Sequence, residues 1–214
     1  MINILIVDDH DLVRFGVQRL LSDIPGIEVV AEADCGETAI SLMRKISPDL
    51  VLLDANMPGI GGLETARRMI RYAPDVKIII LSAHAEHPLP SKFLDIGVKG
   101  YITKSADIKE MERAIRHVNS GQMYLAGEIA QSIAMRSLKN SHENPFEQLS
   151  EREIQVMQML TRGMKVPEIS DVLCLSPKTV NSYRYRLFEK LSVNGDVELT
   201  HLALRYGIID SNQF

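Results

Sequence analysis

Three aspartates, a serine and a lysine stand at the ends of short apolar runs, where together they could handle a phosphoryl group. Asp8 and Asp9 follow Ile4-Leu5-Ile6-Val7, and Asp54 follows Leu50-Val51-Leu52-Leu53. Ser82 ends the run Lys77-Ile78-Ile79-Ile80-Leu81, and Lys104 comes just after Gly100-Tyr101-Ile102. If these runs are parallel strands, all five residues share one sheet edge. Three carboxylates crowded there repel one another unless a cation neutralises them or a proton is retained. Hard oxygen donors with room for water suit Mg²⁺. A hydroxyl and an ammonium beside such an ion match the needs of phosphoryl transfer, which is mostly positioning and charge neutralisation. The simplest covalent step is attack by one aspartate to form an acyl phosphate. Any one of these aspartates alone reads as a helix N-cap, and the lysine alone as a solvated charge. Five suitable groups at four strand ends read as a site.

The elements that must position them form a repeating pattern over residues 2–121. A short apolar run, a turn and an amphipathic stretch recur, with helices expected near 11–24, 36–46, 62–72, 89–97 and 107–119. In the first helix Leu12, Val13, Gly16, Leu20 and Leu21 have the spacing of a buried stripe. Pro25, Pro48 and Pro74 mark helix ends, since proline cannot continue the ladder. Strands that are apolar throughout suit a parallel sheet covered on both faces. The expected fold is therefore an α/β doubly wound, flavodoxin-like domain with a five-stranded parallel sheet, which binds ligands at the carboxyl ends of its strands.

Past Gly121 the strand signal stops. Ala126–Leu138 can form one helix, and Lys139-Asn140-Ser141-His142-Glu143-Asn144-Pro145 has a linker's composition. Residues 148–214 read as helices only. Ser150 with Glu153 forms a capping box, Ser176-Pro177 opens a further helix, and Asp196 is placed to cap a last one that Gly207 closes. The expected organisation is a domain over 1–121, a linker with a helix over 122–147, and an all-α four-helix domain over 148–214.

Composition narrows the class. The chain has 214 residues, 45% apolar and 24% charged, which excludes a wholly disordered chain. No apolar run nears the ~20 residues of a membrane helix, and Met1-Ile2-Asn3 offers no basic start of an export signal. Cys35 and Cys174 are isolated, as suits a reducing cytoplasm without a disulfide frame. His10, His84 and His87 have no ligand spacing and read as loop residues near the acidic site. The net charge of −4 argues against nucleic acid until it is divided: residues 1–121 carry −3, 122–147 carry −1, and 148–214 are neutral. Helix 177–191 alone carries +3. Val180, Leu187 and Leu191 anchor it, while Lys178, Asn181, Ser182, Tyr185 and Arg186 lie mainly on the other face. Asn and Ser can read base edges, and Lys and Arg neutralise phosphates. A short helix, a turn at Leu173-Cys174-Leu175 and this basic helix make a helix-turn-helix.

In this order Asp8-Asp9, Asp54, Ser82 and Lys104 resemble the receiver domain of bacterial two-component response regulators. The resemblance implies that Asp54 accepts a phosphoryl group from a sensor histidine kinase or phosphorelay protein. It implies Mg²⁺ held by Asp9 directly, by Asp8 partly through water, by Asp54, and by the backbone carbonyl of Asn56. Lys104 and Ser82 would meet the phosphoryl oxygens, and Tyr101 would swing inward as Ser82 moves. Met57-Pro58-Gly59 matches the turn after the acceptor, whereas Ser105 stands where many receivers have proline. Leu149-Ser-Glu-Arg-Glu, Gly163, Glu168-Ile-Ser, Leu175-Ser-Pro-Lys-Thr-Val and Lys190-Leu191 resemble the LuxR-type DNA-binding domain. Lys178, Thr179, Asn181, Ser182, Tyr185, Arg186 and Lys190 are the implied DNA contacts. Together the two halves resemble the NarL/FixJ class, and Ser176-Pro-Lys-Thr-Val-Asn-Ser-Tyr-Arg-Tyr-Arg and Gly195-Asp-Val-Glu-Leu-Thr-His-Leu-Ala resemble its GacA/UvrY/LetA group. This implies a cytoplasmic transcription regulator, homodimeric on palindromic double-stranded DNA when active, with no membrane partner. Promoters of small regulatory RNAs are its implied targets, and its implied chemistry is limited to self-dephosphorylation. A haloacid-dehalogenase-like phosphatase is the enzymatic alternative, but such enzymes set two aspartates as DxD after the first strand, whereas Asp8 and Asp9 are adjacent. A helical module that binds protein is the third reading.

Overall fold

The computed structural model describes residues 1–57, 59–83, 90–138, 145–146, 148–206 and 208–209. Pro58, His84, His87, the expected linker residues Lys139–Asn144 and Gly207 lie outside the described residues. Two compact units divide between Met135 and Arg136.

In the first unit strands and helices alternate: β1 (Ile2–Val7), α1 (Asp11–Ser22), β2 (Ile27–Ala33), α2 (Gly36–Ile46), β3 (Leu50–Asp54), α3 (Gly61–Tyr72), β4 (Lys77–Ser82), α4 (Pro90–Asp95), β5 (Gly100–Thr103) and α5 (Ile108–Asn119). β6 (Tyr124–Leu125) and α6 (Gly127–Leu138) follow, the last residues of α6 lying past the division after Met135. All neighbouring strands are parallel, in the order β2-β1-β3-β4-β5-β6. Ile4 to Val7, Leu50 to Leu53 and Ile78 to Leu81 are buried, as strands covered on both faces require. The edge strand β2 alternates instead, with Glu28 exposed. Gly100 is needed where β5 meets its neighbours, because a Cβ there would lie 2.5 Å from Ile79 Cγ1.

The sheet has six strands, not the expected five. β6 pairs Gly100 with Tyr124 and Tyr101 with Leu125, and Ala126 N donates to Tyr101 O at 3.0 Å. Two residues are too short to show a period, so this strand left no pattern to read. The stripe expected on α1 is also corrected. Val17 and Leu21 are buried, but Leu12 is 83% and Phe15 65% exposed. Two apolar rows lie side by side on this helix, and spacing alone does not say which one the sheet takes.

The second unit comprises α7 (Glu151–Thr161), α8 (Val166–Leu173), α9 (Pro177–Leu191) and α10 (Asp196–Arg205). Ile154, Met157, Ile169, Leu173, Val180, Leu187, Leu191 and Leu199 form its core. The α7 capping box is present: Ser150 N donates to Glu153 Oε2 at 2.7 Å, and Glu153 N donates to Ser150 Oγ. Ser176 Oγ accepts from Thr179 N at 3.1 Å, and Pro177 opens α9. Asp196, expected to cap the last helix, is its first helical residue, and Gly195 takes the cap. Its carboxylate is occupied elsewhere, receiving Arg184 Nε at 2.9 Å and Nη2 at 2.6 Å. Among the described residues no helix is long and apolar enough to cross a membrane.

Candidate phosphoacceptor site and nucleic-acid interface

Strand order and register bring the expected acidic residues to one edge. β1 and β3 are neighbours, so Asp8 and Asp54 leave the sheet side by side, and both are buried. Lys104 Nζ bridges them, 2.7 Å from Asp8 Oδ2 and 3.0 Å from Asp54 Oδ2. Lys104 is itself fixed by its backbone N–H, which donates to Ser82 O at 2.7 Å. Ser82 ends β4 opposite Thr103 and is fully buried. Asn56 N donates to Asp54 Oδ1 at 3.0 Å, closing the turn after the strand. Gly62 permits this turn, since a Cβ there would lie 2.3 Å from Asp54 O. Arg14, from α1, donates to Asp8 O at 2.7 Å and holds the other end of the site.

The electrostatics follow from burial. Removal from water pushes Asp54 up to about 7, against the pull of Lys104 and with a further push from Asp8. Burial alone would lower Lys104, but the two carboxylates more than offset it and raise its pKa. Asp8, Asp9, His10 and Asp54 each offer a ligand atom, all within 4.8 Å of one another. Asp8 Oδ2 and Asp54 Oδ2 are buried with Lys104 as their shared cation, and Asp9 Oδ1 is buried beside His10 Nδ1, so three carboxylates have one ammonium between them. Buried carboxylate oxygens left in that state fit a hard divalent cation. His10, expected as a loop residue near the acidic site, stands there just before α1, with its Nδ1 3.2 Å from Asp8 Oδ1 and 3.1 Å from Asp9 Oδ1. Its adjacency to Asp8-Asp9 was the available signal. Ser105, in the place of the usual proline, has its Oγ 3.0 Å from Thr103 Oγ1. Tyr101 lies on β5 beside β4, fully buried and edge-on to Phe93 with ring centroids 6.0 Å apart.

On α9 the two basic groups differ from the rest. Lys178 and Arg186 are exposed and make no ion pair among the described residues. Ser182 and Tyr185 are exposed, and Thr179 and Asn181 are half-buried, on the same helix. Arg184 is committed to Asp196 and stacks over Phe188 at 5.1 Å. Lys190, an expected DNA contact, has its Nζ 2.7 Å from Glu153 Oε2 and 3.2 Å from Gln148 O. It sits at the last turn of α9, where the helix meets the start of α7.

A sheet edge with three carboxylates and a bridging lysine, joined in one chain to a helix-turn-helix unit, defines the class of phosphorylation-dependent, DNA-binding regulators. The chain matches the response regulator receiver domain over residues 4–116 and the bacterial regulatory proteins of the luxR family over residues 147–203. It belongs to the two-component response regulators with a LuxR-type DNA-binding domain. It is 52% identical to response regulator GacA of Pseudomonas aeruginosa, over 99% of both chains. To response regulator UvrY of Escherichia coli it is 55% identical, over 99% of this chain and 97% of that one. Among solved structures it is similar to RcsB of Salmonella enterica serovar Typhimurium, there bound to promoter rprA with the phosphomimetic BeF3−. That likeness has a TM-score of 0.75 and 25% identity, covering 94% of this chain and 98% of the other.

Proposed function

We propose that Asp54 is the phosphoacceptor and that its phosphorylation controls DNA binding by α9. The observation that carries this reading is the Lys104 ammonium held between Asp8 and Asp54 at 2.7 and 3.0 Å. In the transfer step an Asp54 carboxylate oxygen attacks phosphorus. The bond from phosphorus to the donor's imidazole nitrogen breaks, and the imidazole leaves with the electron pair. The donor is a sensor histidine kinase or a phosphorelay protein. Lys104 and Ser82 receive the phosphoryl oxygens, so Lys104 gives up its present carboxylates in part. Mg²⁺ fits the site through Asp8, Asp9, Asp54 and the Asn56 carbonyl, and it supplies neutralisation of charge on the transferring group. Hydrolysis of the acyl phosphate by water resets the site and is the only turnover proposed.

Movement of Ser82 toward the phosphoryl group changes the packing of Tyr101, which is already buried on the neighbouring strand, and biases a two-state receiver. The output is a homodimer on a palindromic site, in the cytoplasm, at promoters that include those of small regulatory RNAs. Lys178 and Arg186 neutralise phosphates there, while Thr179, Asn181, Ser182 and Tyr185 face the major groove. Incubation with acetyl phosphate and Mg²⁺ tests the acceptor. Wild type should gain acid-labile phosphate and Asp54→Asn none; equal incorporation by the variant would identify another acceptor.

A further inference from the structure

Helices α2 and α3 lie side by side in parallel register, with a groove of about 540 Å³ between them. At one end they touch closely, since a Cβ on Gly36 would lie 2.0 Å from Thr65 Oγ1. At the other end the Arg44 guanidinium stacks over the Tyr72 ring, 5.4 Å from its centroid. Glu37 and Ile40 of α2 and Arg68 and Arg71 of α3 line the space between. Its volume falls within the roughly 300–1,000 Å³ of small-molecule sites.

The charge in this groove runs against its surroundings. Residues 1–121 carry a net −3, yet three guanidiniums gather here against the single carboxylate of Glu37. Arg68 is held by Glu64 at 2.9 Å. Arg44 and Arg71 make no ion pair among the described residues. A guanidinium stacked on an aromatic face keeps its in-plane N–H donors, so Tyr72 orients Arg44 without consuming them. Arginine forks match phosphate oxygens in geometry and charge.

We propose that the α2–α3 groove binds a nucleotide. Arg44 and Arg71 take its phosphates, and the Glu37 carboxylate accepts from the ribose hydroxyls. The base packs against Ile40 and the Tyr72 ring, which is 54% exposed. A plain inorganic anion would leave Ile40 unused and be repelled by Glu37, so the mixed lining selects a ligand with a sugar and a base as well as phosphate.

Isothermal titration of the full chain in EDTA, with ATP and pyrophosphate as probes, tests this while keeping metal from the acidic edge. ATP should bind saturably, and pyrophosphate about tenfold more weakly or worse. Arg71→Glu should weaken ATP by at least about tenfold, because it replaces a charge-assisted donor with a repelling carboxylate. Tyr72→Ala should remove the advantage of ATP over pyrophosphate. Both residues are exposed, and thermal melts of the variants check the fold. No saturable heat at millimolar ATP overturns the proposal, as does equal affinity for the two probes. Unchanged binding in Arg71→Glu, or a loss seen with Arg186→Ala instead, places the nucleotide elsewhere and overturns it too.

Discussion

At the scale of single residues, Asp54 is where function is set against stability. Its pKa stands near 7 in the fold against an ordinary 3.8, chiefly because it is buried. Between those values the unfolded chain has released a proton that the native state still holds, so stability falls as pH rises through this window. Asp54→Asn should therefore stabilise the metal-free protein at pH 8, by on the order of 1–3 kcal/mol once the loss of one Lys104 partner is allowed for. The gain should vanish near pH 4, where the native carboxyl is already neutral. Mg²⁺ should raise the melting temperature of wild type and have little effect on the variant, since binding to the native state alone stabilises it. Thermal melts in EDTA and in Mg²⁺ at the two pH values measure all of this. A variant less stable than wild type at pH 8 would mean that the Lys104 ion pair outweighs desolvation. Asp8, Asp9, Asp54, Ser82 and Lys104 were legible because each stands next to an unmistakable apolar run. His10 was legible as a neighbour of the site but not as a member of its ligand cluster, because a loop histidine carries no periodic signal and enters the cluster through the turn, where its own N–H donates to Asp8 Oδ1 at 2.9 Å.

At the scale of elements, two joints can be broken selectively. Glu153 closes the α7 capping box and meets Lys190 of α9. Burial pushes its pKa up, but Lys190 and Ser150 more than offset this, so it stands below its ordinary 4.5. A carboxyl lowered in this way contributes stability above pH 4.5 that is lost as pH falls through its native pKa. Lys190→Met should cost about 1–3 kcal/mol at pH 7, with the partial exposure of Lys190 keeping it below a fully buried pair. Urea unfolding at pH 7 and at about pH 2, below the carboxylate range, checks it: a cost that persists at the lower pH would point to lost packing. The second joint is β6, whose neighbour Ala126 donates its N–H to Tyr101 O immediately before α6 begins. Ala126→Pro removes that donor and should cost about 1–3 kcal/mol. Because this bond ties α6 to the strand of Tyr101, the variant should still take phosphate from acetyl phosphate while its DNA affinity responds less. Gel shifts with and without phosphorylation decide; an undiminished response would remove β6 from the path. The capping box was legible beforehand, but its tie to Lys190 and the strand β6 were not. Lys190 lies in sequence among residues that face solvent, and only the packing of α9 on α7 shows which way it turns. The α1 face failed for a related reason, since Leu12 and Val17 belong to adjacent rows that a period of 3.6 does not rank.

At the scale of the whole molecule, the net charge of −4 is an average over parts with different tasks. A chain with this balance gains nothing from general attraction to DNA, so its affinity has to come from a few placed cations and from pairing. In the proposed dimer each protomer offers Lys178 and Arg186 on α9 as exposed basic groups without ion pairs among the described residues. Two protomers then neutralise about four phosphates, for which the slope of log K against log salt is roughly −3 to −4. Lys178→Ala should flatten that slope by about two, one phosphate per protomer, and weaken all sequences alike. Asn181→Ala should leave the slope unchanged and relax discrimination between bases by about 1–3 kcal/mol per half-site. Lys190→Ala should move neither, apart from its cost in stability. In the proposed mechanism phosphorylation acts on binding through the dimer. Linking two weak sites makes the second contact intramolecular and raises affinity only where both half-sites exist. Fluorescence anisotropy on a palindrome and on an isolated half-site, with and without phosphorylation, separates the two terms. The palindrome should gain affinity and the half-site almost none. An equal gain on both would mean that the unphosphorylated receiver masks α9, and that release of the helix is the switch.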